Sequence, residues 1–292
     1  MDTGADATSP WQTWSFRLGL TLLVVVALGF GLAALMNYLE ADVLSTGPNG
    51  PQTPATVGLK FERVAIPSGA RVLDGYLVRA DAAACADPPA LLIFHGVKET
   101  ISEWVGAQLF LHDHCVSSLV FDYAGSGNSS KPGSLTAITE DAPAAYEFAR
   151  RSFPGARLFV LGHSMGNGPL LESAGKFSPR PEGIIVADAF ASLRGITARS
   201  RVYGVFAIFL PDWWDNVIAI ASLHTQILVV ASDTDTVNPI DDSRDIFAAA
   251  NQPKSLAVLH GFRHNALYRN PDEAWWQPVL AFLAKPKLAT PK

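Results

Sequence analysis

The stretch RLFVLGHSMG, residues 157–166, joins two kinds of sequence at one point. Its first half is an unbroken apolar run of strand length, and its second half is Gly162-His163-Ser164-Met165-Gly166, a serine between two glycines. A short run that is apolar on both faces suits a parallel strand covered on both sides by helices. Glycines two positions before and after a serine leave room for a tight turn that lifts the hydroxyl clear of the backbone. The stretch therefore reads as strand, sharp turn and helix, with Ser164 at the apex as candidate nucleophile.

Runs of the same kind recur on both sides of it: ALLIFHG (90–96), SSLVFDY (117–123), GIIVADA (183–189), QILVVAS (226–232) and SLAVLHG (255–261). Helix-like stretches separate them, among them residues 142–151 and 242–250. Upstream, LKFERVAIP (59–67) and ARVLDGYLVRA (70–80) alternate with period two around Ser68-Gly69, which predicts a β-hairpin. Strands alternating with helices give a doubly wound α/β domain, whose ligands collect beyond the carboxyl ends of the strands. His95-Gly96, Asp122, Ser164, Asp188, Asp235 and His264 each follow one of these runs and so converge on one rim.

A serine hydroxyl is a poor nucleophile until an imidazole takes its proton, and the imidazole needs an acid to hold its tautomer. His264, in GFRHN, is the candidate base, and Asp235, in ASDTDTVNP, is the candidate acid. Asp233 is a competing acid with poorer spacing to Pro239. Asp188 suits a structural cap better than an acid, and Asp122 a backbone bond inside the turn DYAGSG. His163 reads as a packing residue. His112-Asp113-His114-Cys115 lacks a further ligand cluster and lies before a strand, away from the chemical rim, so no metal site is expected there.

At this point the chain resembles the α/β-hydrolases, in particular membrane-anchored serine hydrolases similar to monoacylglycerol lipases and S33-type hydrolases. HGVKET resembles their His-Gly loop, FDYAGSGNSS their D-Y-x-G-x-G-x-S segment, GHSMG their nucleophile elbow, DTDTVNP their acid loop and GFRHN their histidine loop. The order Ser164, Asp235, His264 is also theirs. The resemblance implies an α/β-hydrolase fold, a mostly parallel sheet flanked by helices. It implies backbone N–H groups of Val97 and Met165 as oxyanion donors, although Val97 stands where that group often has asparagine. It implies a carboxylic ester, thioester or related acyl substrate, lipids included, and no metal or organic cofactor. A peptidase or amidase of the same fold, or a catalytically silent binding protein, is the alternative. Residues 191–223 are too long for a simple crossover and fall where α/β-hydrolases insert a helical cap. In that fold the strands after Cys85 and Cys115 are parallel neighbours, which predicts a Cys85–Cys115 disulfide.

The N-terminal region is of another kind. Residues 18–36, LGLTLLVVVALGFGLAALM, form an uncharged 19-residue run whose only polar side chain is Thr21. At about 1.5 Å per residue it approaches the roughly 30 Å hydrocarbon core of a bilayer. No small-x-small cleavage site follows, which favours an uncleaved transmembrane signal-anchor over a removable signal peptide. Arg17 before the run, with no basic residue after it until Lys60, puts the N-terminus inside and the catalytic domain on the extracytoplasmic side. The expected organisation is a short flank (1–17), the span (18–36), a Pro/Gly/Thr linker too polar to pack (37–56) and a hydrolase domain (57–292).

Composition agrees with that division. With 22 basic against 27 acidic residues the chain carries a charge of −5, which argues against a nucleic-acid partner. Two cysteines exclude a disulfide-dense miniprotein or a four-cysteine zinc site. The span accounts for much of the positive mean hydropathy of +0.19.

Overall fold

The computed structural model describes residues 10–202, 204–210 and 213–284. Most of the expected N-terminal flank, residues 1–9, residues 203, 211 and 212 of the expected cap, and residues 285–292 of the expected hydrolase domain lie outside these residues. The chain divides into two compact units after Val43.

The described part of the first unit is helix α1, Pro10–Leu44, up to Val43; the stretch of α1 from Arg17 is long and apolar enough to cross a membrane. Its described side chains from Arg17 to Leu35 are exposed, Leu22 to 65% and Phe30 to 74%. The helix outruns the expected span of 18–36 because nothing in residues 37–44 breaks it; Gly47 and Pro48 come later.

The second unit is built on an eight-stranded sheet: β1 (Glu62–Ser68), β2 (Arg71–Val78), β3 (Ala90–Phe94), β4 (Ser117–Phe121), β5 (Leu158–His163), β6 (Gly183–Ala187), β7 (Gln226–Ser232) and β8 (Lys254–Leu259). The spatial order is β1-β2-β4-β3-β5-β6-β7-β8, antiparallel at the β1–β2 and β2–β4 pairs and parallel elsewhere. Every residue of β3, β4, β5 and β6 is buried, as runs with no polar face require. This is the α/β-hydrolase arrangement. After β3 the chain moves to one side for β4 and returns to the other for β5. The crevice at that reversal lies beyond the carboxyl ends of β3 and β5, where His95-Gly96 and Ser164 emerge.

Helices α2 (Val105–Asp113), α3 (Leu135–Ser152), α4 (Asn167–Ala174), α5 (Leu193–Arg199), α6 (Asn216–Ala221), α7 (Ile240–Ala249), α8 (Ala266–Arg269) and α9 (Glu273–Ala284) complete the unit. On one face Trp104, Leu267, Tyr268, Trp275 and Trp276 close over Ile93, Leu161 and Ile185. Trp104 stacks on Tyr268 with ring centroids 5.2 Å apart, forming the wall behind the site.

Two expected boundaries shift. The segment read as an unpacked linker is a strap on the second unit. Thr46 donates its N–H to Gly125 and accepts one from Gly127, Asn49 bonds Asp74, Gly50 bonds Ser102, and Lys131 reaches the Thr46 carbonyl. Polar residues pack here by hydrogen bonding to loops rather than by burying apolar area, so the folded unit begins at Leu44 and not at Val57. The expected cap is also narrower. Ser192 and Asp215 form a bridge, and Asn216 N–H bonds the Ala191 carbonyl, which closes the excursion at its base. Helix α6 then packs on α4 and α7 as an ordinary sheet-covering helix. Within the excursion Val202, Val205 and Ile208 are 69–75% exposed.

Cys85 and Cys115, ahead of the neighbouring strands β3 and β4, are joined in a disulfide across 30 residues. Thiol titration of the folded protein without reductant is expected to find no free cysteine, and reduction to lower unfolding stability by about 2–4 kcal/mol. Two thiols alkylated without reductant would contradict the bond.

Candidate active site

Strand β5 ends at His163, and Ser164 follows with φ 51°, in the left-handed region that most side chains avoid. A Cβ on Gly162 would come within 2.6 Å of the Asn167 side-chain oxygen, and one on Gly166 would collide with the carbonyl of Phe94. Glycine at both places lets the turn press against the end of β3. Asn167 secures it, donating to the carbonyls of Ser164 at 3.1 Å and Ala187 at 3.0 Å. Met165 lies in the helical turn that Ser164 opens, and Val97 follows the His-Gly pair after β3, 38% exposed.

Three of the sequence-derived residues meet here. His264 Nε2 lies 2.9 Å from Ser164 Oγ, and His264 Nδ1 lies 2.6 Å from Asp235 Oδ2. The other oxygen of Asp235 accepts the N–H groups of Val237 at 2.7 Å and Asn238 at 3.0 Å, which fixes the carboxylate. Ser232 and Thr234 hydroxyls both donate to the Phe262 carbonyl and tie the acid loop to the histidine loop. Such a chain can pass the serine proton to the imidazole while the carboxylate supports the resulting positive charge.

The other candidates are occupied elsewhere. Asp233 binds exposed His260 at 2.6 Å and the Gly261 N–H at 3.1 Å, away from Ser164. His114 Nδ1 donates to the Phe110 carbonyl, and Cys115 is in the disulfide. The Asp122 carboxylate does not bond inside its own turn as the sequence suggests; only the residue's carbonyl does, accepting from the Ser129 hydroxyl at 2.6 Å. Its carboxylate accepts the Ile101 N–H at 3.0 Å and lies 3.4 Å from His95 Nε2, bracing the segment after the His-Gly pair. Burial opposes charge on His95, and Asp122 outweighs it, so the imidazole is held above its ordinary value.

Asp188 is the unusual group. It follows β6 with φ 44°, a second strained residue at this rim. One oxygen accepts the Ser232 N–H at 3.1 Å and its carbonyl accepts from Asn238, but its second carboxylate oxygen is buried without a hydrogen bond. Burial pushes its pKa up to about 6, against the pull of His163. His163, Asp188 and His264 present atoms within 4.8 Å of one another. They make a poor metal site, because both nitrogens of His264 and Nε2 of His163 are already hydrogen-bonded.

Sequence reasoning missed Glu99. Beside Lys98 in a loop it reads as a solvated acid, yet it is buried with its carboxylate against Gly96, Trp104 and His163. The only signal is the tryptophan five residues on, a buried indole that needs an acceptor.

The sequence model of the family described as serine aminopeptidase, S33, matches residues 88–217. An uncharacterised protein of Mycobacterium tuberculosis is 29% identical over 61% of this chain and 63% of its own length. Lysophosphatidylserine lipase ABHD12 of Danio rerio is 26% identical over 63% of this chain and 56% of its own. The chain thus spans less than two thirds of the length of these relatives. Among solved structures, an esterase of Pyrococcus furiosus superposes with a TM-score of 0.66 at 16% identity, covering 82% of this chain and 98% of that one. A soluble variant of monoglyceride lipase from Saccharomyces cerevisiae gives 0.63 at 16%, with the same coverage. At that identity these two likenesses establish the fold alone.

Asp188 yields a signed pH prediction. A carboxyl whose folded pKa stands above its unfolded value destabilises the fold as pH rises between the two, and fully above the higher one. Asp188→Asn is therefore expected to stabilise the protein at pH 8, by on the order of 2–3 kcal/mol, and to change little near pH 4. Denaturant titrations at both pH values check this; equal effects at the two would remove the claim.

Proposed function

We propose that this chain is a serine hydrolase of the α/β-hydrolase superfamily. His264 takes the Ser164 proton as Oγ attacks an acyl carbonyl, and Asp235 holds the imidazole tautomer and supports the imidazolium. The backbone N–H groups of Val97 and Met165 receive the oxyanion. The imidazolium then protonates the leaving alkoxide or thiolate, and the acyl-enzyme remains on Ser164. Water, deprotonated by His264, releases the acid and restores the hydroxyl. The observation that carries this reading is the hydrogen-bond chain Ser164–His264–Asp235, at 2.9 and 2.6 Å, at the sheet's topological switch point.

The substrate is an ester, thioester or related acyl compound, with lipids in the candidate class. The apolar side chains left exposed on the excursion between β6 and β7 support an apolar acyl group, and relatives and fold neighbours include lipases and esterases. The family description supports a second reading, a peptidase or amidase using the same three residues. The membrane is a partner through α1 as a single-pass anchor. Arg17 on the N-terminal flank and the Cys85–Cys115 disulfide support a catalytic unit on the extracytoplasmic side. Nothing in this mechanism calls for a metal or organic cofactor.

A fluorophosphonate probe is expected to label the folded protein, and Ser164→Ala to abolish labelling and to lower turnover by at least about 10³-fold. p-Nitrophenyl esters of graded chain length, with matching anilides, are expected to show ester turnover extending to long acyl chains. Labelling that survives Ser164→Ala would end the nucleophile assignment, and activity on anilides alone would favour the amidase reading.

A further inference from the structure

Behind the triad sit a carboxylate and an imidazole that the reaction does not consume. Glu99 lies two residues past Val97 and is only 5% exposed. Its Oε2 accepts the Gly96 N–H at 2.8 Å and the Trp104 indole N–H at 2.9 Å. Its Oε1 lies 3.1 Å from Nδ1 of fully buried His163, out of hydrogen-bond alignment, so that contact is electrostatic. The other nitrogen of His163, Nε2, lies 3.0 Å from the backbone carbonyl of His264.

The proton count follows from these partners. A carbonyl only accepts, so His163 Nε2 carries a hydrogen. Were Nδ1 bare, its lone pair would face a carboxylate in a place closed to solvent, an uncompensated arrangement. A second proton therefore lies on the Nδ1 side, and the pair is an imidazolium against a carboxylate. Burial works against charge on both groups, but their mutual attraction prevails, holding Glu99 below and His163 above their ordinary values. The charged and titratable groups facing His163 are Glu99 from the loop after β3, Asp188 after β6 and His264 after β8. The rings of Trp104 and Tyr268 close the remaining sides at 5.9 and 5.7 Å.

We propose that Glu99 and His163 are positioning residues: Glu99 grips the amide beside Val97, His163 grips the main chain of His264, and their contact holds oxyanion loop and base in one register around Ser164. This rests on the triad reading above. His264 is then clamped twice, at its ring by Asp235 and at its carbonyl by His163. Misplacement of reacting groups by about 1 Å costs on the order of 10²-fold in rate, so slack between the two loops acts on turnover rather than on substrate binding.

Glu99→Gln keeps the shape and removes the charge. Its carbonyl can still accept from Gly96 and Trp104, while its amide can donate to a His163 Nδ1 that has lost its proton. Folded Glu99→Gln, checked by near-UV circular dichroism, is expected to lose about 10- to 100-fold in kcat with KM nearly unchanged. The double variant with His163→Gln is expected to lose much less than the product of the two single losses, as for residues acting as a unit. Imidazole 15N spectra are expected to show His163 protonated at both nitrogens in the parent protein and at one in Glu99→Gln. A parent-like kcat in folded Glu99→Gln, or a singly protonated His163 in the parent, would overturn the proposal. Failure of the parent to hydrolyse esters or label at Ser164 would instead strike the hydrolase reading, while the spectra would still decide the charge state of the pair.

Discussion

Ser164 stands above the sheet because Gly166 lets the turn behind it press against the carbonyls at the end of β3. That single close approach sets the spacing between two strands' carboxyl ends, and the rest of the rim is arranged around it. A left-handed residue costs about 1–3 kcal/mol, and Asp188 after the next strand adds another. The surrounding structure sustains both. Asn167 bonds carbonyls on either side of the elbow, and Asn238 ties the carbonyl of Asp188 to the loop that carries Asp235.

The electrostatic pattern follows from crowding ionisable groups against that elbow. Three imidazoles, those of His95, His163 and His264, each face a carboxylate, from Asp122, Glu99 and Asp235. A buried charge left alone is costly, and pairing lets each of them persist. Asp188, which has no cation of its own within bonding distance among the described residues, answers by resisting ionisation. Of the three pairs, only the one containing His264 reaches the nucleophile.

The parallel strands were legible because each is a short run with no polar face, and a run of that kind has few other places to go. Ser164, Asp235 and His264 were legible because each follows such a run, and topology brings those ends together. Glu99 was not, since its neighbours in sequence, Val97 and Lys98, say nothing of the tryptophan and histidine that fold around it. The packed strap at 45–50 was hidden for a related reason: composition reports apolar burial, whereas Thr46 and Asn49 dock through hydrogen bonds to loops far along the chain. The narrower excursion escaped notice because the bridge between Ser192 and Asp215 is a pairing of backbone groups that side-chain patterns do not encode.

The strap also bears on how the protein can be dissected. A soluble fragment cut where composition changes, at Val57, would leave the Gly125 carbonyl and the Gly127 amide without their Thr46 partners, and Asp74 without Asn49. The two glycine groups belong to the turn that follows Asp122, Asp74 of β2 accepts the Asp122 N–H, and through Asp122 they reach the segment around Ile101 behind the His-Gly loop. A cut before Leu44 removes the apolar helix and keeps the strap. The natural limit of the folded unit therefore lies inside what looks like tether, and the tether's first residues are part of the scaffold.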